Sequence, residues 1–328
     1  QELREAARVE DLDMLVLLDR GLTRPANLAR EAPFIMEGQE VLVPRMGSFG
    51  LFPIAHDEQV ISVGSKGMEG KAPTEFLRRF RRVDSKPLVQ VQLPRDPANG
   101  YFQAIGLDPR TGLSTNIDAS YEFDLIEVAS ASDLRSAPGV LNDWFHLLNL
   151  GHRVFATGNS DSRNLGPGAL GYPRNYVNTN GDVLSESSLI DALRSGRSIV
   201  TTGPLLDVTV NGRAKPGETI VIRDGLVDVT VEVQAAEWID LDKMRVFANA
   251  QQIGEQTIWR RPGETSVRLK ESLPIHRDTW VVVVITGKQD LAPVASGPRG
   301  EPIRPVAFSN PIWIDEDGNG RFDEPGVR

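Results

Sequence analysis

At 328 residues, 40% apolar and 25% charged, the chain is long enough for two hydrophobic cores, since one core rarely serves beyond ~250–300 residues. Its net charge of −9 opposes nucleic acid as a partner, because phosphate binding needs a basic footprint. The absence of cysteine excludes thiolate catalysis, zinc–thiolate sites and disulfides, and no apolar run reaches the ~18–20 residues of a membrane span.

Residues 1–10 carry a helical stripe of Leu3, Ala6 and Ala7 among charged neighbours. Residues 12–20 form a short apolar run ending in Asp19 and Arg20, the pattern of a buried parallel strand whose C-terminal end reaches a site. Comparable runs lie at 33–41, 88–93, 125–128 and 153–157, with helical stretches at 73–82 and 140–150. Strand and helix alternating in this way predict an α/β unit with a mainly parallel sheet or barrel. The basic run Arg78-Arg79-Phe80-Arg81-Arg82 reads as a solvated helix face flanked by Glu75 and Asp84.

Residues 189–197 predict a further helix stopped at Gly196, and the character changes near Gly203-Pro204. Short alternating segments follow at 206–210, 227–233, 244–248, 266–269 and 280–285, each bounded by turn residues, and predict an antiparallel β-sandwich. The expected organisation is an α/β barrel over 1–203, a sandwich over 204–312 and an acidic tail over 313–328.

In that tail Asp315, Asp317 and Asn319, followed by Gly320, fit the first half of a calcium loop, with alternating oxygen ligands and a glycine for the sharp turn. Arg321 and Asp323 extend the candidate ligand set, Asp323 or Glu324 standing in for the missing bidentate Glu at the twelfth position, which is Gly326. The alternative is an acidic turn with no ion.

Three segments carry a family resemblance: Gly158-Asn159-Ser160-Asp161-Ser162-Arg163-Asn164-Leu165, then Gly171-Tyr172-Pro173-Arg174-Asn175-Tyr176-Val177, then residues 195–204. In this order they resemble the PHP (polymerase and histidinol phosphatase) superfamily, in its CehA/McbA-like metallohydrolase branch. The resemblance implies a distorted (β/α)7 barrel that binds divalent metals at its strand ends and hydrolyses phosphoesters with a metal-activated water.

The same resemblance implies a degenerate site. Arg20 and Arg163 stand where the family has histidines, as do Ser48 in Gly47-Ser48-Phe49 and Leu93 in Leu93-Pro94-Arg95. Glu40 and Asp161 match retained carboxylates, and Glu127 lies on a neighbouring strand. Leucine cannot coordinate a metal and arginine only donates, so no cofactor is expected in the barrel. The guanidinium groups either pair with the remaining carboxylates or point into solvent. His56, His146, His152 and His276 lie at none of the family's metal positions, and no Gly-x-Ser-x-Gly elbow supports Ser48, Ser160 or Ser162 as a nucleophile.

The family's opening Asp-x-His-x-His strand has no counterpart, so the expected barrel lacks its first strand, to be completed by a preceding segment or a protein partner. The resulting expectation is a catalytically inactive, PHP-like structural or binding module in an extracellular or cell-envelope assembly. The rival is a metallohydrolase holding one divalent ion through Glu40, Glu127 and Asp161, an oxygen set that suits magnesium or calcium better than zinc. A third reading has Trp238, Trp259, Trp280 and Trp313 stacking sugars, against the plainer reading of core packing.

Overall fold

The computed structural model describes residues 2–19, 32–55, 68–163, 170–223, 225–297 and 300–326. Its first sheet holds six strands in sequence order: β1 (Met14–Asp19), β2 (Phe34–Val43), β3 (Gly47–Phe52), β4 (Leu88–Gln92), β5 (Leu125–Ser130) and β6 (Phe155–Asn159). The pairs β1/β2, β4/β5 and β5/β6 are parallel, whereas β2/β3 and β3/β4 are antiparallel. Helices α1 (Glu2–Val9), α2 (Pro73–Arg81), α3 (Tyr101–Ala104), α4 (Ala137–Asn149) and α5 (Glu186–Arg194) are the only ones among the described residues.

Two further sheets follow. The larger contains β7 (Arg174–Val177), β8 (Ser198–Thr201), β10 (Thr219–Val221), β12 (Lys243–Ala248), β13 (Gln251–Thr257), β15 (Thr279–Thr286), β16 (Val306–Ser309) and β17 (Ile312–Asp315). The smaller is antiparallel, in the order β14 (Ser266–Pro274), β11 (Leu226–Gln234), β9 (Leu205–Val210).

Strand β15 shows why these layers stack. Its sequence, Trp280-Val281-Val282-Val283-Val284-Ile285, has no polar face, so both faces must be covered. Trp280, Val282 and Val284 join the core formed with α4 and the first sheet. Val281, Val283 and Ile285 join the sandwich core beneath β9 and β11. Each such side chain contributes about 1.5–3 kcal/mol on full burial. Helix α4 buries Val140, Trp144, Leu147 and Leu148, a stripe at helical spacing, and sets Phe145 against Trp280 and Phe247 at centroid distances of 5.1 and 4.9 Å.

The barrel expectation is corrected here. Of the described residues 37% are strand and 15% helix, and the first sheet is an open half-barrel, not a (β/α)7 ring. The reason is local: residues 34–52 are an antiparallel hairpin turning at Arg45, whose φ is +63°, and its return strand β3, buried along its whole length, has no alternation to announce it. With no ring to complete, the missing first strand loses its premise. The sandwich of the second half is present.

The expected boundary at 203 does not coincide with a break between sheets. β7 and β8 pair with each other, and β8 pairs with β16, so residues before 203 lie in the sandwich sheet. The expected tail likewise begins inside β17, which pairs with β10 and β15. Among the described residues no helix is long and apolar enough to cross a membrane.

Candidate functional site

At the ends of β2 to β6 the structure gathers most of the expected residues. Ser48 Oγ lies 2.8 Å from Glu40 Oε1 and 3.1 Å from Gln92 Oε1. Glu127, only 4% exposed, accepts the Leu93 backbone N–H at 2.8 Å and the Asn159 side-chain amide at 3.1 Å. Arg163 reaches its near neighbour Asp161 at 3.3 and 3.5 Å, with its own side chain 71% exposed. An ion pair that open to water contributes little. Arg20 lies outside the described residues.

Leu93 contributes through its main chain, whatever its side chain. It adopts a φ of +41° just past β4, an uncommon conformation for a residue with a Cβ, and its N–H meets the Glu127 carboxylate. Asp161, just past β6, has a φ of +44°. Gln92 and the amide role of Asn159 escaped sequence reasoning, because neutral amides at strand ends carry no motif of their own.

Burial pushes the Glu127 carboxyl from 4.5 up to about 7, partly opposed by the Leu93 N–H and the Asn159 amide and reinforced by the charge of Asp161. A folded value above the unfolded one means that the native state binds the proton more tightly. Its contribution is therefore complete below about pH 4.5 and lost as pH rises through about 7, some 3 kcal/mol in all. In urea denaturation across that window, the stability of the unmodified chain should fall relative to that of Glu127→Gln. Parallel curves would refute the coupling.

The segments that suggested a hydrolase family have a structural use. Asn175 accepts from Gly158 N at 2.9 Å and donates to Gly158 O at 2.8 Å. Asn310 does the same for Ala156, at 2.8 and 3.1 Å, and also donates to Ser198 Oγ at 2.9 Å. Two side-chain amides thus occupy the outer edge of β6 and fasten it to the sandwich sheet. Gly158 is required at this junction, since a Cβ there would lie 2.4 Å from Val200 Cγ1.

A second cluster lies where β17 runs into the tail. Asp315 is 1% exposed and accepts the N–H groups of Gly318 and Gly320 at 2.7 and 2.9 Å. Gly318 and Gly320 have φ of +70° and +78°, and this folds the chain back onto its own first carboxylate. Asp317 accepts from Asn319 N at 3.0 Å, Asn319 Oδ1 accepts from Arg321 N at 2.7 Å, and Asn319 Nδ2 lies 3.5 Å from Asp323 Oδ2.

Asp278, buried in the turn before β15, accepts from Glu316 N at 2.8 Å and Asp323 N at 2.7 Å. Each of Asp278, Asp315 and Asp317 offers an oxygen within 4.8 Å of the others, the only such trio among the described residues. Burial pushes the Asp315 carboxyl up, but the backbone donors outweigh it and hold the group below its ordinary range. Sequence reasoning missed Asp278, which lies far from the loop in the chain and has no spacing signal. All of these donors are oxygen, a set that fits a hard cation.

No protein-family model matches the chain, and no curated protein matches it. With the open half-barrel, this overturns the PHP metallohydrolase resemblance. Among solved structures, the solution structure of the CARDB domain of a Pyrococcus furiosus protein has 16% identity and a TM-score of 0.22, covering 34% of this chain and 96% of that one. A crystal structure of the same domain in complex with di-metal ions has 15% identity and a TM-score of 0.22, covering 34% and 89%. A Niemann-Pick type C2 protein from Japanese carpenter ant has 9% identity and a TM-score of 0.19, covering 35% and 95%. Similarity at this level carries neither fold nor function across.

Proposed function

We propose that this chain is a non-catalytic structural or binding module whose acidic C-terminal loop holds a calcium ion. The observation that carries the reading is the convergence of Asp278, Asp315 and Asp317 from two separate segments, with Asn319 and Asp323 alongside. Three carboxylates so close present a set of hard oxygen donors, and calcium accepts about 6–8 oxygen ligands in flexible geometry. When bound, the ion would neutralise the carboxylates and tie the tail to the turn before β15. The tail already packs back there: Phe322 lies edge-on against Trp313 at 4.7 Å, and Gly326 N reaches Asn149 O at 2.9 Å.

The non-catalytic part rests on how the strand-end groups are used. Glu40, Glu127 and Asp161 form no close trio of carboxylates, the Ser48 hydroxyl lies against Glu40, and Arg163 is largely in solvent. We place such a module outside the cell or in its envelope, where calcium is abundant enough to load a site of modest affinity. Its net charge of −9 favours a protein partner over nucleic acid.

Thermal unfolding in chelator and in calcium tests the site. Calcium at roughly 100 times its Kd should stabilise the fold by about 2.7 kcal/mol, and Asp315→Asn should abolish the shift. Equal melting in both conditions would refute calcium binding.

A second reading, a divalent-metal-dependent phosphoesterase using Glu40, Glu127 and Asp161, is favoured by one observation: Glu127 titrates at about 7, within range of the charge of Asp161. Against it, those three carboxylates form no trio of the kind found at the tail. Turnover of a generic phosphodiester with added magnesium, manganese or calcium, lost in Glu127→Gln, would establish this reading over the first.

A further inference from the structure

An asparagine followed by glycine can be attacked by its own main chain, because glycine adds no Cβ to hinder the approach. The attacking atom is the glycine amide nitrogen and the target is the asparagine Cγ, so both must be free to move. Four such pairs occur in the chain: Asn99-Gly100, Asn180-Gly181, Asn211-Gly212 and Asn319-Gly320. They differ in what holds those two atoms.

In three of the pairs the fold ties one atom or both. Gly100 N donates to Asp96 O at 2.8 Å, and a Cβ on Gly100 would lie 2.6 Å from main-chain atoms of Pro94 and Asp96. Asn211 Oδ1 accepts the Asp228 N–H at 2.7 Å. At Asn319 both sides are held: Gly320 N donates to buried Asp315, Asn319 Oδ1 accepts from Arg321 N, and Nδ2 donates to Asp317 Oδ2 at 2.9 Å. Attack at any of these sites first requires a local opening that breaks those bonds.

Asn180-Gly181 is not held in this way. It lies between β7 and α5, both residues are exposed, and the space around Gly181 is open. Among the described residues the Asn180 side chain makes no hydrogen bond and the Gly181 N–H meets no acceptor. Only the Asn180 main-chain N–H is engaged, by Asn178 Oδ1 at 2.8 Å. Asn211-Gly212 has the same backbone shape, with φ of +51° and +63° against +57° and +86° at Asn180-Gly181, the left-handed form of an Asn-Gly turn. With shape alike, the two bonds between Asn211 and Asp228 of β11 separate these pairs.

We infer that Asn180 is a site of spontaneous deamidation, the one Asn-Gly pair that folding leaves reactive. Gly181 N gives its proton to a base in water and bonds to Asn180 Cγ; the Cγ–Nδ2 bond breaks and ammonia leaves, closing a succinimide. Water then opens that ring at either carbonyl, leaving aspartate or isoaspartate. The net exchange is amide and water for carboxylic acid and ammonia, with nothing oxidised or reduced. The chain gains a negative charge beside exposed Asp182, and isoaspartate lengthens the main chain inside a turn closed by Asp182 N on Thr179 O and Thr179 Oγ1 on Asp182 O. None of this depends on calcium.

Incubation of the full chain in mildly alkaline buffer, with and without denaturing urea, followed by peptide mass spectrometry, provides the test. Dividing each folded rate by the rate in urea removes the effect of neighbouring sequence. Asn180 should then convert at least about tenfold faster than Asn99, Asn211 or Asn319, which wait on local opening. Both aspartate and isoaspartate should appear at that position. Asn180→Gly keeps the left-handed turn while removing the amide, so the folded variant should lose the early release of ammonia. The inference is overturned if Asn180 converts no faster than Asn211 on this scale, or if either of the other two overtakes it. It is equally overturned if Asn180→Gly releases ammonia as fast as the parent.

Discussion

Asn310→Leu is expected to destabilise the fold by about 4 kcal/mol, because it removes a side chain that acts as a strand. Asn310 is completely buried. Its amide satisfies both the N–H and the C=O of Ala156 on the outer edge of β6, and its Nδ2 also reaches Ser198 Oγ. Leucine fills a similar volume but leaves a buried donor and two acceptors unmatched, each costing about 1–3 kcal/mol. Urea denaturation measures the loss, and hydrogen exchange localises it: the Ala156 amide should lose protection first. Asn175→Leu should show the same pattern on Gly158 with a smaller loss, since that site is only half-buried. A change within about 0.5 kcal/mol at Asn310 would mean that the strand edge is held by something else.

Asp143→Ala is expected to cost about 4 kcal/mol for a different reason. Arg95 makes two parallel bonds to Asp143, Nε to Oδ2 and Nη2 to Oδ1, both 2.7 Å, with the carboxylate completely buried and the guanidinium side chain 19% exposed. Nη2 also donates to Leu107 O at 2.9 Å. This pair ties the segment after β4 to the middle of α4. Removing the carboxylate strands a desolvated cation, whereas removing both charges removes the desolvation cost along with the attraction. Arg95→Met/Asp143→Leu should therefore recover most of the loss in the same denaturation assay. A double variant as unstable as Asp143→Ala would show that geometry matters here more than charge compensation.

How much was legible can be judged residue by residue. The apolar runs at 88–93, 125–128 and 153–157 are β4, β5 and β6, and the helix expected over 140–150 is α4 at Ala137–Asn149. Alternation in the second half announced β9, β11, β12 and β14, because a half-buried strand writes its two faces into every second residue, whereas β15 is an unbroken apolar run and β10, β13, β16 and β17 carried no signal that was read. The return strand of the hairpin at 34–52 lacks a strong turn signal: Pro44-Arg45-Met46 has no glycine, and Arg45 takes the left-handed conformation itself. The segments 171–177 and 195–204 suggested an enzyme family, yet Asn175 and Ser198 serve the joint between two sheets. An amide that mimics a peptide group leaves no periodic trace.

By itself the sequence determined the local periodicities, the freedom from cysteine, and the row of oxygen donors at Asp315, Asp317 and Asn319, all properties of neighbouring residues. Tertiary structure alone decided that Asp278 joins those donors, that Asn310 closes β6, and which tryptophans face water. Each of these depends on bringing distant parts of the chain together. Such pairing is settled by burial of apolar faces such as the two of β15, and not by any short stretch of residues.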